Sequence, residues 1–549
     1  MKHLPGKKDF WFLPLGGSNE IGMNLNLFGH DKQWLMVDLG VTFYDRLGLE
    51  VITPDPSFIL PYQEHLVGLV LTHAHEDHVG AVPYVWPYLR CPIYATPFTA
   101  EIVRQKIADK PWRHEVQIIE VPLCGSIKVG HFDVEYITLT HSIPEPNALA
   151  ITTPLGRIVH TGDWKIDPMP LIGKVTNESR LIELGNDGVL AMLCDSTNVF
   201  SEGESGSEQE VRDELTQLIG SYKNHRISVA CFASNVARLE TVALAAHQFG
   251  RKVCLLGRSL HRMVAAAQKV GYLKNIPNFI SDEEAMDMPH SKVLFITTGS
   301  QGEPRAALAR IASNQHPVVK FGSRDVVFFS SRVIPGNEKS IGLMQNRLAL
   351  LGVKLITSHE EEIHVSGHPS RGELRRMYDW VRPQILIPVH GEARHLAEQS
   401  RFGLECGIPM AIVPTNGSLI QMAGSTPSVI DHVDVGRWAY EGNRLVSVDS
   451  SIVKDRARLS IQGCVFVSLI LDSHGELFQE PKITFLGICD TEREAQTLED
   501  EIFRRIEDTL GGAFKNATAR LDSLKQVIRQ TVNQRLAKKP MVEVHILRG

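Results

Sequence analysis

Several large protein classes are excluded by what this sequence lacks. No run approaches the ~18 consecutive apolar residues that span a bilayer, so no membrane segment is expected. The opening MKHLPGKKDFWFLPLGG has charge but neither the apolar core nor the small-residue cleavage pattern of a secretion signal. Cysteine is sparse: eight in 549 residues, at 91, 124, 194, 231, 254, 406, 464 and 489, with no C-x-x-C pair. That excludes a disulfide framework, argues against a zinc–thiolate site and points to a reducing, cytoplasmic setting. Neither charge dominates, since 57 Lys and Arg stand against 63 Asp and Glu. The total therefore gives no sign of a polyanion partner, although local patches decide that question. Repeats and low-complexity tracts are absent too. What is present is ordinary globular material, 43% hydrophobic and 22% charged, which excludes wholesale disorder.

The rhythm of the chain suggests its organisation. Residues 1–207 are mostly short apolar runs broken by Gly and Pro, such as FWFLPLGG, QWLMVDLG, LVGLVLTHAH, FDVEYITLTHS, ALAITTPLGRIVHTGDW and GVLAMLCDSTN. These read as strands, with helices near 78–88 and 97–108. From 208 to 357 apolar strands (RISVACFA, KVCLLG, KVLFITTG, DVVFFSS, VKLIT) alternate with helical periodicity, which predicts a parallel sheet flanked by helices. Strand character returns over 358–450, so the alternating unit reads as an insertion into the first domain. Residues 451–549 form a linker and a small α+β domain. RLSIQGCVFVSLILD and KITFLGI read there as strands, two amphipathic helices carry Leu498, Ile502 and Ile506, then Leu524, Ile528 and Val532, and EVHIL reads as a last strand. From 511 onward eight Lys or Arg face two Asp or Glu, either a solvated helix face or a nucleic-acid or partner surface.

Histidine is the informative residue. There are 23, and the run Thr72-His73-Ala74-His75-Glu76-Asp77-His78 follows an apolar strand. Three imidazoles and a carboxylate so close together repel and desolvate one another unless a cation holds them. Such a set suits Zn²⁺, or Mn²⁺ where more oxygens join; Mg²⁺ is a further alternative. His141, Asp163 and His390 each stand at or just beyond the end of a strand-like run and look like completions of the site. The resulting set of seven exceeds one tetrahedral site. It suits two metals about 3.5–4 Å apart sharing one carboxylate, a pair that activates water and stabilises phosphoryl transfer.

HAHEDH, the later His141 and the strand-end Asp163 resemble the signature of the metallo-β-lactamase superfamily, with Asp38 matching its first motif. The inserted unit resembles the β-CASP domain, whose markers match Asp195, His368 and His390. More closely, GGSNEIGMN, LTHAHEDHVGA, THSIPEP, HTGDWKID, CDSTN, CFASN, TTGSQGEP, SRVIPGNE, HVSGH and PVHGEARH together resemble the bacterial ribonuclease J family. The implied fold is an α/β one: a metallo-β-lactamase αββα sandwich, an inserted β-CASP domain and the small C-terminal domain.

By that resemblance His73, His75 and His141 hold one zinc, Asp77, His78 and His390 the other, and Asp163 bridges. The resemblance implies a zinc-dependent 5′-to-3′ exoribonuclease preferring 5′-monophosphate ends, with endonuclease activity, in RNA maturation and decay. His368, held by Asp195, is the expected proton donor or transition-state stabiliser; Asp77 is the alternative for the proton work. Ala233, Ser234 and Asn235, with His364, Val365, Ser366, Gly367 and His368, are expected to bind an RNA phosphate and the 5′ end. For Ser234 and Asn235 an ordinary helix N-cap is the competing reading. Two residues depart from the family pattern. Val365 stands where Ala is common, and Glu145 in SIPEP replaces an expected Asp and should alter contacts near the metals. The expected partners are single-stranded RNA, a second copy in a homodimer or homotetramer, and other RNA-degradation proteins. The rival readings are a small-molecule hydrolase, a purely endonucleolytic or DNA-processing nuclease, and a non-catalytic RNA-binding scaffold.

Overall fold

Strands that run in one direction bring the motif-bearing loops to a common rim. The computed structural model describes residues 3–548. An eight-stranded and a seven-stranded sheet face each other. Alternation along the strands sets Phe12, Phe28, Leu35 and Val70 of one sheet against Phe132, Tyr136, Ile151 and Leu193 of the other. The outer face of the seven-stranded sheet meets helices Glu178–Asp187, Arg371–Val381 and Ala393–Glu405 through Leu181, Leu184, Met377, Tyr378 and Phe402. Helix Pro97–Ile107 packs beside strands Ile93–Ala95 and Ile118–Glu120 of the other sheet. This is the αββα sandwich expected.

In the seven-stranded sheet Phe132–Thr138, Gly156–His160, Ala191–Asp195 and Ile385–Val389 point the same way. In the eight-stranded sheet Phe10–Gly16, Gln33–Val37 and Leu66–Val70 share a direction. Backbone bonds stitch the loops that follow: Asp38 to Val70, Leu39 to His78, Asn24 to Asp77, Ser196 to Val389 and His390 to Gly17. The inserted chain leaves this rim after Ala191–Asp195 and is back at it by 364–368, where the Gly367 carbonyl meets His141 and His368 meets Asp195; helix Arg371–Val381 then precedes Ile385–Val389, the parallel neighbour of Ala191–Asp195.

The insert builds a five-stranded parallel sheet in the order 252–256, 293–297, 226–230, 325–329, 354–357. Cys254, Phe295, Val327 and Phe329 pack on Leu308, Ile311, Met344 and Leu348. Arg238, fully buried, ties its helices together by donating to both Glu208 oxygens and to the Ser330 and Ile363 carbonyls.

A second compact unit comprises 43–50 and 437–549. Strands Lys482–Leu486, Cys464–Leu471 and Met541–Arg548 form its C-terminal sheet, against which Leu498, Ile502, Ile506, Leu524, Ile528 and Val532 are buried. The run RLSIQGCVFVSLILD is not all strand: 458–462 end helix Ser451–Gln462, and the strand starts at Cys464. Gly463 makes the break at φ +72°, where a Cβ would lie 2.6 Å from the Leu486 carbonyl oxygen. The basic helix Ala517–Leu536 packs on the helix Glu492–Leu510, with Arg535 2.8 Å from Glu501, so part of its charge is paired within the unit.

Replacing Arg238 with Ala leaves the buried Glu208 carboxylate unpaired and should cost the first unit about 3–5 kcal/mol. The measurement is the shift in its urea-unfolding midpoint. An unchanged midpoint would contradict the role given to Arg238, and the paired change Arg238→Met with Glu208→Leu should recover most of the loss.

Candidate metal centre

All seven residues expected as ligands converge on one carboxylate oxygen. Asp163 Oδ2 lies 3.2 Å from His78 Nε2, 3.3 Å from His390 Nε2, and 3.9 Å from the Nε2 atoms of His73 and His141. His75 Nδ1 is 3.1 Å from His73 Nε2 and 3.0 Å from His141 Nε2. Asp77 Oδ2 is 3.5 Å from His78 Nε2 and 3.6 Å from His390 Nε2. The set falls into two groups, His73–His75–His141 and Asp77–His78–His390, with Asp163 common to both. Asp163 Oδ1 is buried with no partner among the described residues. Imidazole and carboxylate donors in two groups that share one carboxylate fit a pair of divalent cations.

Each outer imidazole nitrogen is held from behind, which leaves the other to face the centre. His78 Nδ1 donates to Asp38 Oδ2 at 2.7 Å, and the Thr72 amide donates to Asp38 Oδ1 at 2.9 Å. His141 Nδ1 donates to the Gly367 carbonyl at 2.5 Å. No larger residue fits there, since a Cβ on Gly367 would lie 2.9 Å from His141 Cε1. His390 Nδ1 donates to Asn24 Oδ1 at 3.2 Å while Asn24 Nδ2 donates to the Asp77 carbonyl at 3.0 Å. Gly40 is required as well, because a Cβ there would lie 1.7 Å from the Asp77 carbonyl oxygen. Asn24 was not among the expected site residues, though it ends the GGSNEIGMN motif.

Burial lowers the pKa of His73 and His141 well below the ordinary value and that of His75 to about 4, which favours neutral, ligating imidazoles. Burial would lift the Asp163 carboxyl, yet His390 and His78 hold it well below the usual range. Burial likewise opposes charge on His78, but Asp163, Asp77 and Asp38 together raise it.

Asp195 and His368 stand together, His368 Nδ1 donating to Asp195 Oδ2 at 2.7 Å. Burial opposes charge on His368, but the charge and hydrogen bond of Asp195, with Asp163 and Asp77, together outweigh it and raise the pKa to about 9, which favours the protonated imidazole at neutral pH. The His368 ring lies 5.1 Å from that of His141 and 5.7 Å from that of His390. Beside them Ser366 Oγ accepts from Asn198 and from the His368 amide at 2.9 and 3.1 Å. His364 Nδ1 is buried without a hydrogen-bond partner among the described residues.

The remaining expected residues divide. Ser234 Oγ reaches His75 Nε2 at 3.1 Å, which puts it at the centre's edge beside Ala233. Asn235 instead caps helix Val236–Gln248, accepting from the Arg238 amide at 2.9 Å and donating to Glu208 at 3.1 Å. Its side chain is thereby engaged, and its backbone amide donates to the Phe232 carbonyl at 3.2 Å. Val365 turns its side chain toward Gly206. Glu145 points away from the imidazoles: its carboxylate accepts from the Phe98 amide at 2.8 Å, at the start of helix Pro97–Ile107, and from the Tyr272 hydroxyl at 3.1 Å.

Four family models match the chain: "Beta-lactamase superfamily domain" over 34–182, "Ribonuclease J, beta-CASP domain" over 224–348, "Zn-dependent metallo-hydrolase RNA specificity domain" over 358–410 and "Ribonuclease J C-terminal domain" over 451–549. The chain is 43% identical to a ribonuclease J of Sinorhizobium meliloti, over 97% of this chain and 96% of that one. It is 34% identical to a ribonuclease J of Corynebacterium glutamicum, over 96% of this chain and 74% of the relative. A crystal structure of a protein of unknown function from Enterococcus faecalis matches 75% of the chain with a TM-score of 0.53 at 18% identity, a likeness of fold alone.

Asn24→Ala should release His390 Nδ1 and weaken divalent-ion affinity about 10- to 100-fold. Gly367→Ala should weaken it by displacing His141. Competition with a chromophoric chelator measures both, alongside circular dichroism for the fold. Wild-type affinity in both variants would show that these contacts do not orient the ligands.

Proposed function

The chain belongs to the ribonuclease J family, and on that premise we propose that it is a zinc-dependent ribonuclease. It removes nucleotides from 5′-monophosphate ends in the 5′-to-3′ direction and also cuts internally, in RNA maturation and decay. The observation that carries this reading is the pair of ligand groups sharing Asp163, next to the Asp195–His368 pair at the base of the insert.

In this reading His73, His75 and His141 hold one ion, Asp77, His78 and His390 the other, and Asp163 contributes to both. Two bound cations supply activation of water and neutralisation of charge on the scissile phosphate. Zinc suits the imidazole-rich donor set, with Mn²⁺ or Mg²⁺ as alternatives. Asp163, kept ionised by its neighbours, holds the two groups at a common point. His368 delivers a proton to the leaving 3′ oxygen, and Asp195 fixes its ring and keeps it protonated. Asp38, Asn24 and the Gly367 carbonyl hold the imidazoles that face the ions. Ser234 and residues 364–368 receive RNA phosphate. The same reading divides the chain into 1–207 and 358–450 as the metallo-β-lactamase domain, 208–357 as the β-CASP domain and 451–549 as the C-terminal part. It sets the protein in the cytoplasm as a homodimer or homotetramer that works with other RNA-degradation proteins. Among the described residues no helix is long and apolar enough to cross a membrane.

The test uses one single-stranded RNA, labelled at the 5′ nucleotide and ending in a monophosphate, a triphosphate or a hydroxyl. The expected result with zinc- or manganese-loaded protein is immediate release of labelled mononucleotide, slowed by triphosphate and abolished in His78→Ala. Internal fragments alone, indifferent to the 5′ end, would make the protein an endonuclease and remove the 5′-phosphate role from residues 364–368. No hydrolysis by the loaded wild type would refute the reading.

A further inference from the structure

Three cations surround His364: Arg238, Arg332 and Lys165. Two of them are spoken for. Arg238 has no exposure and is neutralised by Glu208 at 2.9 Å. Lys165, 1% exposed, donates to the Gly206 carbonyl at 2.8 Å and pairs with Asp167 at 3.2 Å. Arg332 differs. Its residue is exposed, and among the described residues no carboxylate pairs with it. Its one side-chain bond is neutral, from Nη1 to Asn198 Oδ1 at 2.8 Å. A guanidinium has five N–H donors, so most of this one's capacity is unspent.

Its position is nonetheless fixed. The buried Gln301 donates to the Arg332 carbonyl at 2.7 Å and accepts from the Ile334 amide at 2.9 Å, which clamps the loop on both sides of Val333. Asn198, 6% exposed, spends its amide nitrogen on Ser366 Oγ at 2.9 Å and on the His368 carbonyl at 3.2 Å. The amide that holds the guanidinium is thus the amide that holds the 364–368 turn. In that turn the buried His364 Nδ1 has no hydrogen-bond partner among the described residues. A rigidly placed, uncompensated guanidinium next to an unsatisfied buried imidazole nitrogen suits a phosphate, which accepts bidentate bonds from Arg.

We propose that Arg332 is a phosphate-binding side chain of the RNA site, presented beside residues 364–368 by Asn198 and by the loop that Gln301 braces. The inference rests on the ribonuclease reading and adds to it a residue that discriminates substrate by charge. The shared chemistry is an RNA phosphate, either the 5′-terminal monoester or a diester further along the strand.

The experiment compares wild type, Arg332→Gln and Arg332→Lys on single-stranded RNA with a 5′-monophosphate or a 5′-hydroxyl, reading KM, kcat and the salt dependence of binding. Arg332→Gln should raise KM about 10- to 100-fold, the effect of losing one charge-assisted contact. It should also lower the slope of log affinity against log salt by about 0.7. Arg332→Lys should restore the slope but only part of the affinity, because the forked geometry is lost. A KM effect confined to monophosphorylated RNA assigns the terminal phosphate; an equal effect on both ends assigns a diester. If Arg332→Gln lowers thermal stability, the Lys variant decides, since a purely structural role gives no return of the salt slope with charge. Unchanged KM and slope in Arg332→Gln, with wild type cutting RNA, overturns this proposal alone. A wild type that neither binds nor cuts RNA overturns the ribonuclease reading with it.

Discussion

The site depends on a single oxygen atom. Asp163 Oδ2 stands within 4 Å of four imidazole nitrogens from three separate segments of the chain. Burying one ionised carboxylate is costly unless it is paired and hydrogen-bonded. Here the neighbouring imidazoles compensate it, and they in turn need a reason not to turn away. That reason is supplied from outside the centre. Asp38, Asn24 and the Gly367 carbonyl each take the far nitrogen of one ring. The arrangement is therefore two shells deep, and each shell would be unstable without the other.

Strand direction explains why six sequence-distant segments reach one point. Seven strands of the two sheets deliver their ends to a single rim, and the loops there are short enough to be fixed by backbone bonds. Left-handed backbone at Asp38 (φ +62°) and His390 (φ +54°) turns the chain sharply just after a strand. Such conformations cost of order 1–3 kcal/mol each and persist only where surrounding contacts fix them. At His390 those contacts are visible: its amide bonds to Gly17, and its ring to Asn24 from the same loop.

The converging histidines and aspartates were legible in the sequence because a donor set of this kind leaves a dense local mark. Four of the seven lie within residues 73–78, and the others follow apolar runs that end in polar punctuation. The sheets and the inserted parallel unit were legible through periodicity. What stayed hidden depends on contacts between distant segments. Asn24 meets His390 across 366 positions, and a lone Asn in a loop shows nothing of that. Glu145 was expected to alter contacts near the metals because it departs from the family's Asp in the segment that follows His141; with a φ of +58° it instead meets the Phe98 amide and Tyr272. Residues 458–462 read as strand because their apolar pattern continues into one, and only the backbone freedom of Gly463 marks the change. The short helices Asp282–Asp287 and Ala307–Ala312 span under two turns, too few for a 3.6-residue period to emerge.

The two ligand groups differ in what supports them. Behind Asp77, His78 and His390 stand Asp38 and Asn24, both from the first strands of the sandwich. Behind His75 and His141 stand Ser234 and Gly367, one within the inserted unit and the other on the segment that returns from it. The first group is thus completed by the sandwich alone, whereas in the second only His73 finds its outer contact there, at Thr72 Oγ1, and His75 and His141 borrow theirs from chain beyond the insertion point. A displacement of the insert by even 1 Å would stretch the contacts to His75 and His141 before it touched those to His78 and His390. Asn198 and the 364–368 turn, which its amide holds, lie on the same borrowed side. A phosphate site there, as proposed, would share its supports with His141 and not with His78 or His390, which the core of the sandwich holds.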